Sequence, residues 1–462
     1  MTYPEAIQYI ESFINYEKIT FWPYKKSLKL ERIKDFLTTI EDPQDRLKCI
    51  HIAGTKGKGS TCAFISYILR QAGFKVGLYT SPHLSDFRER IRILDSRFLA
   101  PDSRTDKDFE GMISQDELRG LIEKLKPKIE KYNKDSKYGP LSCFEFYTSL
   151  AFVYFKEKKV DLAVLETGLG GRLDATNVAK PLVCAITPIS YEHTQQLGNT
   201  LTEIAIEKSN IIKSRQAIVI TAPQKKEVMQ VIRNRCKEVG VKLYEVNKDI
   251  SFEKTGKGLS IKTGFGEYSD LKIRLLGEQQ LINGVVAVGV IEALRFYNIN
   301  VGIDSIRQGL YNTIWPGRCE VISRNPLVVL DGAQNIASSR ALKQTIKENF
   351  SAESAAGGKG GKYKRLILVL GISKDKDIDG ICNELCPLAD EIILTQADNP
   401  RAASINFIEQ VVKRLKLDKM PITKTESVQE ARAYSLSIAK KEDLILVCGS
   451  LFVVGEFRDV RI

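Results

Sequence analysis

Apolar positions along the chain fall into short buried-looking runs separated by longer stretches of helical period. The opening residues predict an amphipathic helix, with Thr2 and Glu5 placed as a capping box and Ile10, Phe13 and Ile14 on its apolar face. A first series follows. Residues 48–54 (KCIHIAG), 75–81, 160–168, 182–189 and 216–223 are rich in β-branched residues and predict strands, while 60–73, ending on Gly73, and 144–159 predict helices. Apolar strands alternating with helices predict a mainly parallel sheet covered on both faces. Residues 247–277 break at glycines into two or three alternating segments and predict a small antiparallel excursion, followed by a helix over 281–296. The pattern breaks again at Pro316-Gly317, and a second series of strands follows at 326–333, 364–372, 390–397 and 443–451. The expected fold is α/β, with a large unit over 1–312, a linker over 313–318 and a smaller Rossmann-like unit over 319–462. Residues 95–116 read as a polar surface insertion and 354–362 (SAAGGKGGK) as a flexible loop.

Composition narrows the possibilities. The 462 residues are 43% hydrophobic and 27% charged, which is globular and excludes global disorder. Lys and Arg exceed Asp and Glu by 69 − 57 = 12, which points to an anionic partner or to a lysine-rich surface. Three histidines, His51, His83 and His193, leave little room for a multi-histidine metal site. Nine scattered cysteines without a C-x-x-C pair suit a reducing, cytoplasmic compartment. The first residues lack the basic and apolar regions of a signal peptide, and no apolar run reaches ~20 residues, so no membrane partner is expected.

The strongest local signal is Gly54-Thr55-Lys56-Gly57-Lys58-Gly59-Ser60-Thr61, which follows a predicted strand and opens a predicted helix. Glycines there allow backbone N–H groups to turn around phosphate oxygens, and Lys58 can reach the β- and γ-phosphates. The loop departs from the common phosphate-loop pattern, since Ile52 replaces the first Gly and Gly59 separates Lys58 from Ser60. The large unit therefore reads as a P-loop-type ATPase domain. A second block, Glu166 to Asn177, lies at the carboxyl end of a predicted strand, where open α/β sheets place ligands, and a carboxylate there can hold Mg²⁺. His193 follows the strand ending near Ile189, and Lys208 lies on a probable helix; on spacing alone a lone histidine is more often structural than a ligand, and a helix lysine is ordinarily a solvated face. Arg318, after Trp315-Pro316-Gly317, can pair with phosphate, and Asp331 ends the next strand, where it can accept from ribose hydroxyls or shape a turn.

Taken in order, these motifs resemble the folylpolyglutamate synthase/dihydrofolate synthase family of the Mur ligase superfamily. The likeness includes Leu30-Glu31-Arg32-Ile33, the phosphate loop, Ser81-Pro82-His83-Leu84, Glu89-Arg90-Ile91, Phe144-Glu145, the Glu166–Asn177 block, Glu207-Lys208, Asp331-Gly332-Ala333, Asp375-Lys376-Asp377 and Pro400-Arg401. The resemblance implies an ATP-dependent ligase joining L-glutamate to a folate or dihydropteroate through an acyl phosphate. It implies ATP contacts from Gly54, Thr55, Gly57, Lys58, Gly59, Ser60, Thr61, Asn283, Arg318 and Asp331. It also implies Mg²⁺ on Ser60, Ser81, Glu166 and His193, and acceptor contacts from Ser81, Pro82, His83, Phe144 and Glu145. Lys58, His193 and Lys208 would carry the chemistry, with Lys208 matching a lysine that becomes carbamylated. A monomer without nucleic-acid partners is expected. The family usually has Asn at Lys56, Asp at Glu192, Ala-Gly at Ser209-Asn210, and His at Gln279 and Gln334. The competing readings are another Mur-type ligase with a different acceptor acid, a basic nucleic-acid-binding ATPase, and a homologue that binds without catalysing.

Overall fold

The computed structural model describes residues 1–19, 22–98, 109–256, 258–350, 363–417 and 420–459. The expected loop at 354–362 and part of the expected insertion, residues 99–108, lie outside these.

The first sheet has seven strands: β1 (Cys49–Ala53), β2 (Val76–Tyr79), β3 (Ile91–Leu94), β4 (Leu162–Glu166), β5 (Pro181–Ile186), β6 (Ile218–Thr221) and β7 (Lys242–Glu245). Their spatial order is β3-β2-β4-β1-β5-β6-β7, and every pair is parallel except β2 with β3. Alternate side chains feed two cores. Ile50, Ile52, Leu78, Val164 and Val183 pack with the helices Lys58–Gln71 and Glu278–Ala293 on one face. Cys49, Tyr79, Ala163 and Leu165 pack with the helix Cys143–Glu157 on the other. Burial on both faces explains the unbroken apolar runs of β1 and β4. The expected excursion is a three-stranded antiparallel sheet of β8 (Ser251–Thr255), β9 (Gly258–Thr263) and β10 (Gly266–Leu271).

The second large sheet comprises β11 (Glu320–Arg324), β12 (Leu327–Leu330), β13 (Leu366–Leu370), β14 (Glu391–Leu394), β15 (Ile422–Lys424) and β16 (Leu444–Cys448). It runs in the order β11-β12-β16-β13-β14-β15 and is parallel apart from β11. The stretch Glu278–Tyr297 is long and apolar enough to cross a membrane, but it is 72% buried inside the protein and serves as a core helix.

Two expectations are corrected. The first helix spans only Tyr3–Glu11, with the Thr2–Glu5 capping box present, so Ile14 lies beyond it and is 48% exposed. The Ile14 carbonyl instead accepts from the Cys143 N–H at 2.9 Å, drawing the chain across the start of the next helix. The end of the 95–116 stretch is also not a loose insertion. Gly111 and Ile113 exchange backbone hydrogen bonds with Ile93 and Ile91, extending the edge of β3, and Ile113 is fully buried.

His51, in the middle of β1, is fully buried with Nε2 2.8 Å from the Thr176 hydroxyl. Burial lowers its pKa from 6.5 to about 3, so the folded protein holds it neutral. Above pH 6.5 neither the folded nor the unfolded chain protonates it, and its contribution to stability is complete. As the pH falls below 6.5 only the unfolded chain takes up the proton, so folding weakens by ~1.4 kcal/mol per pH unit from this group, until about pH 3. Urea midpoints measured from pH 7 to pH 4 should fall less steeply in His51→Gln, by about one proton's worth. An unchanged slope would remove His51 from the acid response.

Candidate active site

The strands β2, β4, β1 and β5 are neighbours, and the loops leaving their carboxyl ends bring together Ser81, Glu166, the phosphate loop and His193. This edge is where an open parallel sheet leaves room for a ligand.

The helix after β1 begins at Lys58, two residues earlier than expected, with Gly57 as a left-handed N-cap (φ 82°). The N–H groups of Gly57, Lys58, Gly59 and Ser60 precede the first intrahelical bond, from Thr61 to the Gly57 carbonyl, and form an anion-binding end. Thr55 has a different job. Its N–H donates to the Pro188 carbonyl at 3.0 Å and its hydroxyl to the Ser190 carbonyl at 3.1 Å, latching the phosphate loop to the loop that carries His193. The Thr61 hydroxyl is buried without a hydrogen-bond partner. Close neighbours fix the loop from the other side. A Cβ on Gly57 would fall 2.1 Å from Asn283 Oδ1, and one on Gly59 would fall 2.9 Å from the Trp315 ring. The linker tryptophan therefore rests on the phosphate-loop helix.

Glu166 ends β4. Its Oε2 accepts the Ser81 N–H at 3.2 Å and its Oε1 lies 4.0 Å from Lys58 Nζ. Burial raises its pKa, opposed by Lys58, the Ser81 N–H and Arg318. In the same block, a Cβ on Gly171 would stand 2.8 Å from the carbonyls of both Glu207 and Lys208, so only glycine lets the block lie against that helix. Lys208 is fully buried and donates to the Gly54 carbonyl at 2.8 Å. Burial, reinforced by Lys58 and opposed by Glu192 and Asp174, draws its pKa from 10.5 to about 7. His193 adopts a left-handed backbone (φ 52°), and burial holds its pKa at about 4 against the pull of Glu192. Its imidazole is neutral at pH 7 and can act as a ligand or an acceptor.

The acceptor candidates are divided. Ser81, Pro82 and His83 lie on a loop whose Leu84, Ser85 and Asp86 N–H groups all donate to Glu89, at 2.6, 2.9 and 2.7 Å. His83 Nδ1 accepts from Arg90, which pairs with Glu17 at 2.5 Å. Pro82, His83, Phe87, Arg90, Asn399 and Phe452 line part of a cleft of about 220 Å³ between the two large sheets' units. Phe144 packs on Gly168, where a Cβ would come 2.6 Å from its ring. Glu145 is buried and committed elsewhere: Arg32 Nε donates to both of its oxygens at 2.9 and 2.8 Å, and Ser142 caps the helix on Oε2. Its position as third residue of that helix explains the capping role.

From the second unit, Arg318 influences both Glu166 and Asp331, and the Asp331 carboxylate accepts from the Cys319 and Ala333 N–H groups, each at 2.8 Å. Asp331 thereby braces the linker on the next strand. Four further residues enter that the sequence reading gave no role. Asn335 Nδ2 donates to Glu192 at 3.3 Å across the two units. Burial raises the pKa of Glu192, but His193, Lys376, Lys58 and Lys208 together hold it below its ordinary value. Lys56, in the phosphate loop, has its pKa drawn down by burial to about 8, opposed by Glu192. Lys376 was visible in the sequence as a motif, whereas Lys56 and Glu192 stood out only as departures from the family pattern. Of the two glutamines that replace family histidines, Gln279 lies against Gly277 and Gln334 leans by its N–H on the Ser338 hydroxyl at 3.2 Å.

Residues 145–291 match the Mur ligase middle domain, and residues 317–451 match the Mur ligase glutamate ligase domain. The dihydrofolate synthase/folylpolyglutamate synthase of Bacillus subtilis is 33% identical over 440 residues, spanning 93% of this chain and 94% of its own. The folylpolyglutamate synthase of Lacticaseibacillus casei is 30% identical over 466 residues, spanning 99% and 98%. Escherichia coli FolC in complex with DHPP and ADP superposes with a TM-score of 0.81 at 27% identity, covering 100% of this chain and 97% of that one. Mycobacterium tuberculosis folylpolyglutamate synthase complexed with ADP gives a TM-score of 0.83 at 27% identity, covering 98% and 96%.

Proposed function

As the chain belongs to the folylpolyglutamate synthase/dihydrofolate synthase family of Mur ligases, ATP-dependent enzymes that form amide bonds, we propose that it joins L-glutamate to the carboxylate of a dihydropteroate or a folate. The observation that carries this reading is the convergence of the phosphate loop, Glu166, His193 and Lys208 at one sheet edge, facing Arg318 and Lys376 from the second unit.

A carboxylate is a poor electrophile, so the acceptor carboxylate first takes the γ-phosphoryl group of ATP. The glutamate amine then attacks the acyl phosphate, and phosphate leaves as the amide forms. The free N–H groups of Gly57, Lys58, Gly59 and Ser60 cradle phosphate oxygens, and the Lys58 ammonium neutralises charge on the transferred group. Arg318 adds a cation from the second unit, and closure of the two units keeps water from the acyl phosphate. Asn283 steadies the loop at Gly57.

The donor set fits Mg²⁺. Glu166 keeps one oxygen without a hydrogen bond, and the Ser60 and Ser81 hydroxyls and the neutral His193 lie on the loops around it. Among the described residues no cluster of three or more His, Cys, Asp or Glu forms a metal cage, so phosphate oxygens and water would complete the ion's shell. Ser60, Ser81, Glu166 and His193 would hold it, and it would offset charge on the phosphates. Lys208, with its amine half neutral near pH 7, is suited to carbamylation, which replaces an ammonium by an anion. The acceptor would contact Ser81, Pro82, His83 and Phe144, with Glu145 supporting them through its helix. All nine cysteines are buried and unpaired, which fits work in the cytoplasm, and we expect a monomer.

The test is product analysis by mass, with Mg-ATP, glutamate and, separately, dihydropteroate or tetrahydrofolate. A product heavier by one glutamyl residue, formed with stoichiometric ADP, is expected. ATP-dependent consumption of neither acceptor would overturn the substrate assignment.

A further inference from the structure

Three lysines act on Glu192, and each has a neighbour of its own. Lys58 Nζ lies 4.0 Å from Glu166, Lys208 donates to Gly54 at 2.8 Å, and Lys376 lies 3.5 Å from Asp375. Lys56 Nζ is buried and has no hydrogen-bond partner. Its backbone is fixed. The Lys56 N–H donates to the Pro188 carbonyl at 3.2 Å, and the hydroxyl of the neighbouring Thr55 both donates to the Ser190 carbonyl and accepts from the Ser190 N–H, each at 3.1 Å. A buried ammonium costs several kcal/mol unless an anion meets it. Glu192 is the carboxylate that favours its charged form, and that same carboxylate answers Lys58, Lys208 and Lys376 and accepts from Asn335. Glu192 is therefore shared among several cations, and a buried ammonium without a hydrogen-bond partner sits in the phosphate loop itself.

We propose that Lys56 is a second phosphate-loop cation, which binds an oxygen of the γ-phosphoryl group of ATP and stays with that group during its transfer. The proposal rests on the nucleotide-binding reading of this loop and deepens it. The amide end at Gly57–Ser60, beside Lys58, would take the β-phosphate. Lys56 lies two residues before Lys58, outside that helix, and the carboxylate that favours its charge is Glu192, which adjoins His193, feels Lys376 and accepts from Asn335 of the second unit. Glu192 keeps the ammonium charged until the nucleotide arrives and is too heavily shared to hold it alone. An amide at this position, as in the usual family pattern, would offer a hydrogen bond without the charge. This chain thus places an additional positive charge where negative charge moves from ATP to the acyl group, the setting in which a fixed cation acts most strongly.

The experiment compares Lys56→Asn, Lys56→Met and Lys56→Arg with the parent by calorimetric titration of Mg-ADP and of the Mg complex of a β,γ-methylene ATP analogue, at one fixed salt concentration. No acceptor or glutamate is present, so the result stands whichever acid the enzyme ligates. The uncharged variants should bind the ATP analogue about tenfold more weakly or worse and ADP within about threefold of the parent, while Lys56→Arg stays close to the parent for both. Equal weakening toward ADP and the analogue, or no weakening of either, overturns the proposal. A further titration with dihydropteroate in the presence of ADP separates phosphate from carboxylate as the anion. Loss of dihydropteroate binding with the analogue unaffected would assign Lys56 to the acceptor and also overturn it. Should Lys56→Met fail to fold, Lys56→Asn carries the comparison, because asparagine is the family's usual residue in this loop.

Discussion

Lys58→Ala should lower turnover by about 10³-fold or more while the protein melts within a few degrees of the parent. The expectation follows from where the ammonium stands. It heads the phosphate-loop helix, 4.0 Å from Glu166, and the buried Lys208 cannot move into its place because it is tied to Gly54. Stability should change little, since the ion pair with Glu166 is long and its removal also relieves the crowding of Lys58 against Lys208. Steady-state ATP hydrolysis and ligation, with a melting curve on the same sample, decide it. Near-normal turnover would show that this loop does not hold the transferred phosphoryl.

Lys208→Ala should cost about 10²-fold in ligation. A lysine with a pKa near 7 carries a neutral amine on about half the molecules at neutral pH. Such an amine adds to carbon dioxide and releases a proton, leaving a carbamate. Alanine removes that anion, so added formate or acetate should restore part of the activity, and intact mass of the parent in bicarbonate should show the adduct on the peptide containing Lys208. Full activity in Lys208→Ala would remove both the carbamate and any direct role for this residue. A loss that small carboxylates fail to repair would leave the lysine as a packing element beneath Gly54 and Gly171.

The centre of each sheet was legible in the chain because strands buried on both faces are almost wholly apolar, with His51 in β1 and Glu166 at the end of β4 the exceptions. β1, β4, β13 and β16 are buried at every position. The unread strands lie at or next to sheet edges: β7, β11 and β15 mix apolar and polar residues and are partly exposed, and β3 carries a buried Arg92 among its apolar residues. The helix Gln115–Asp135 was hidden by its charge and by an internal Pro127. The site follows the same division. Lys58 and Glu166 announce themselves at the carboxyl ends of strands, whereas His193 gained its role only from the family resemblance. The pairing of Glu145 with Arg32 across 113 positions, and the meeting of Asn335 with Glu192 across 143, depend on tertiary contacts that no local window contains. Lys56 looked like an ordinary substitution until its ammonium was seen to lack a partner.

The indole of Trp315 against Gly59 bears on how the protein can be divided. A cut placed at the end of the helix Ile303–Asn312 looks natural from the strand pattern, yet it would strip the cover from the phosphate-loop helix. A fragment meant to bind nucleotide on its own should run through Trp315. Conversely, a second fragment beginning at that residue would carry an exposed indole into solution and favour self-association. The boundary that separates the two sheets is therefore not the boundary at which either half is complete.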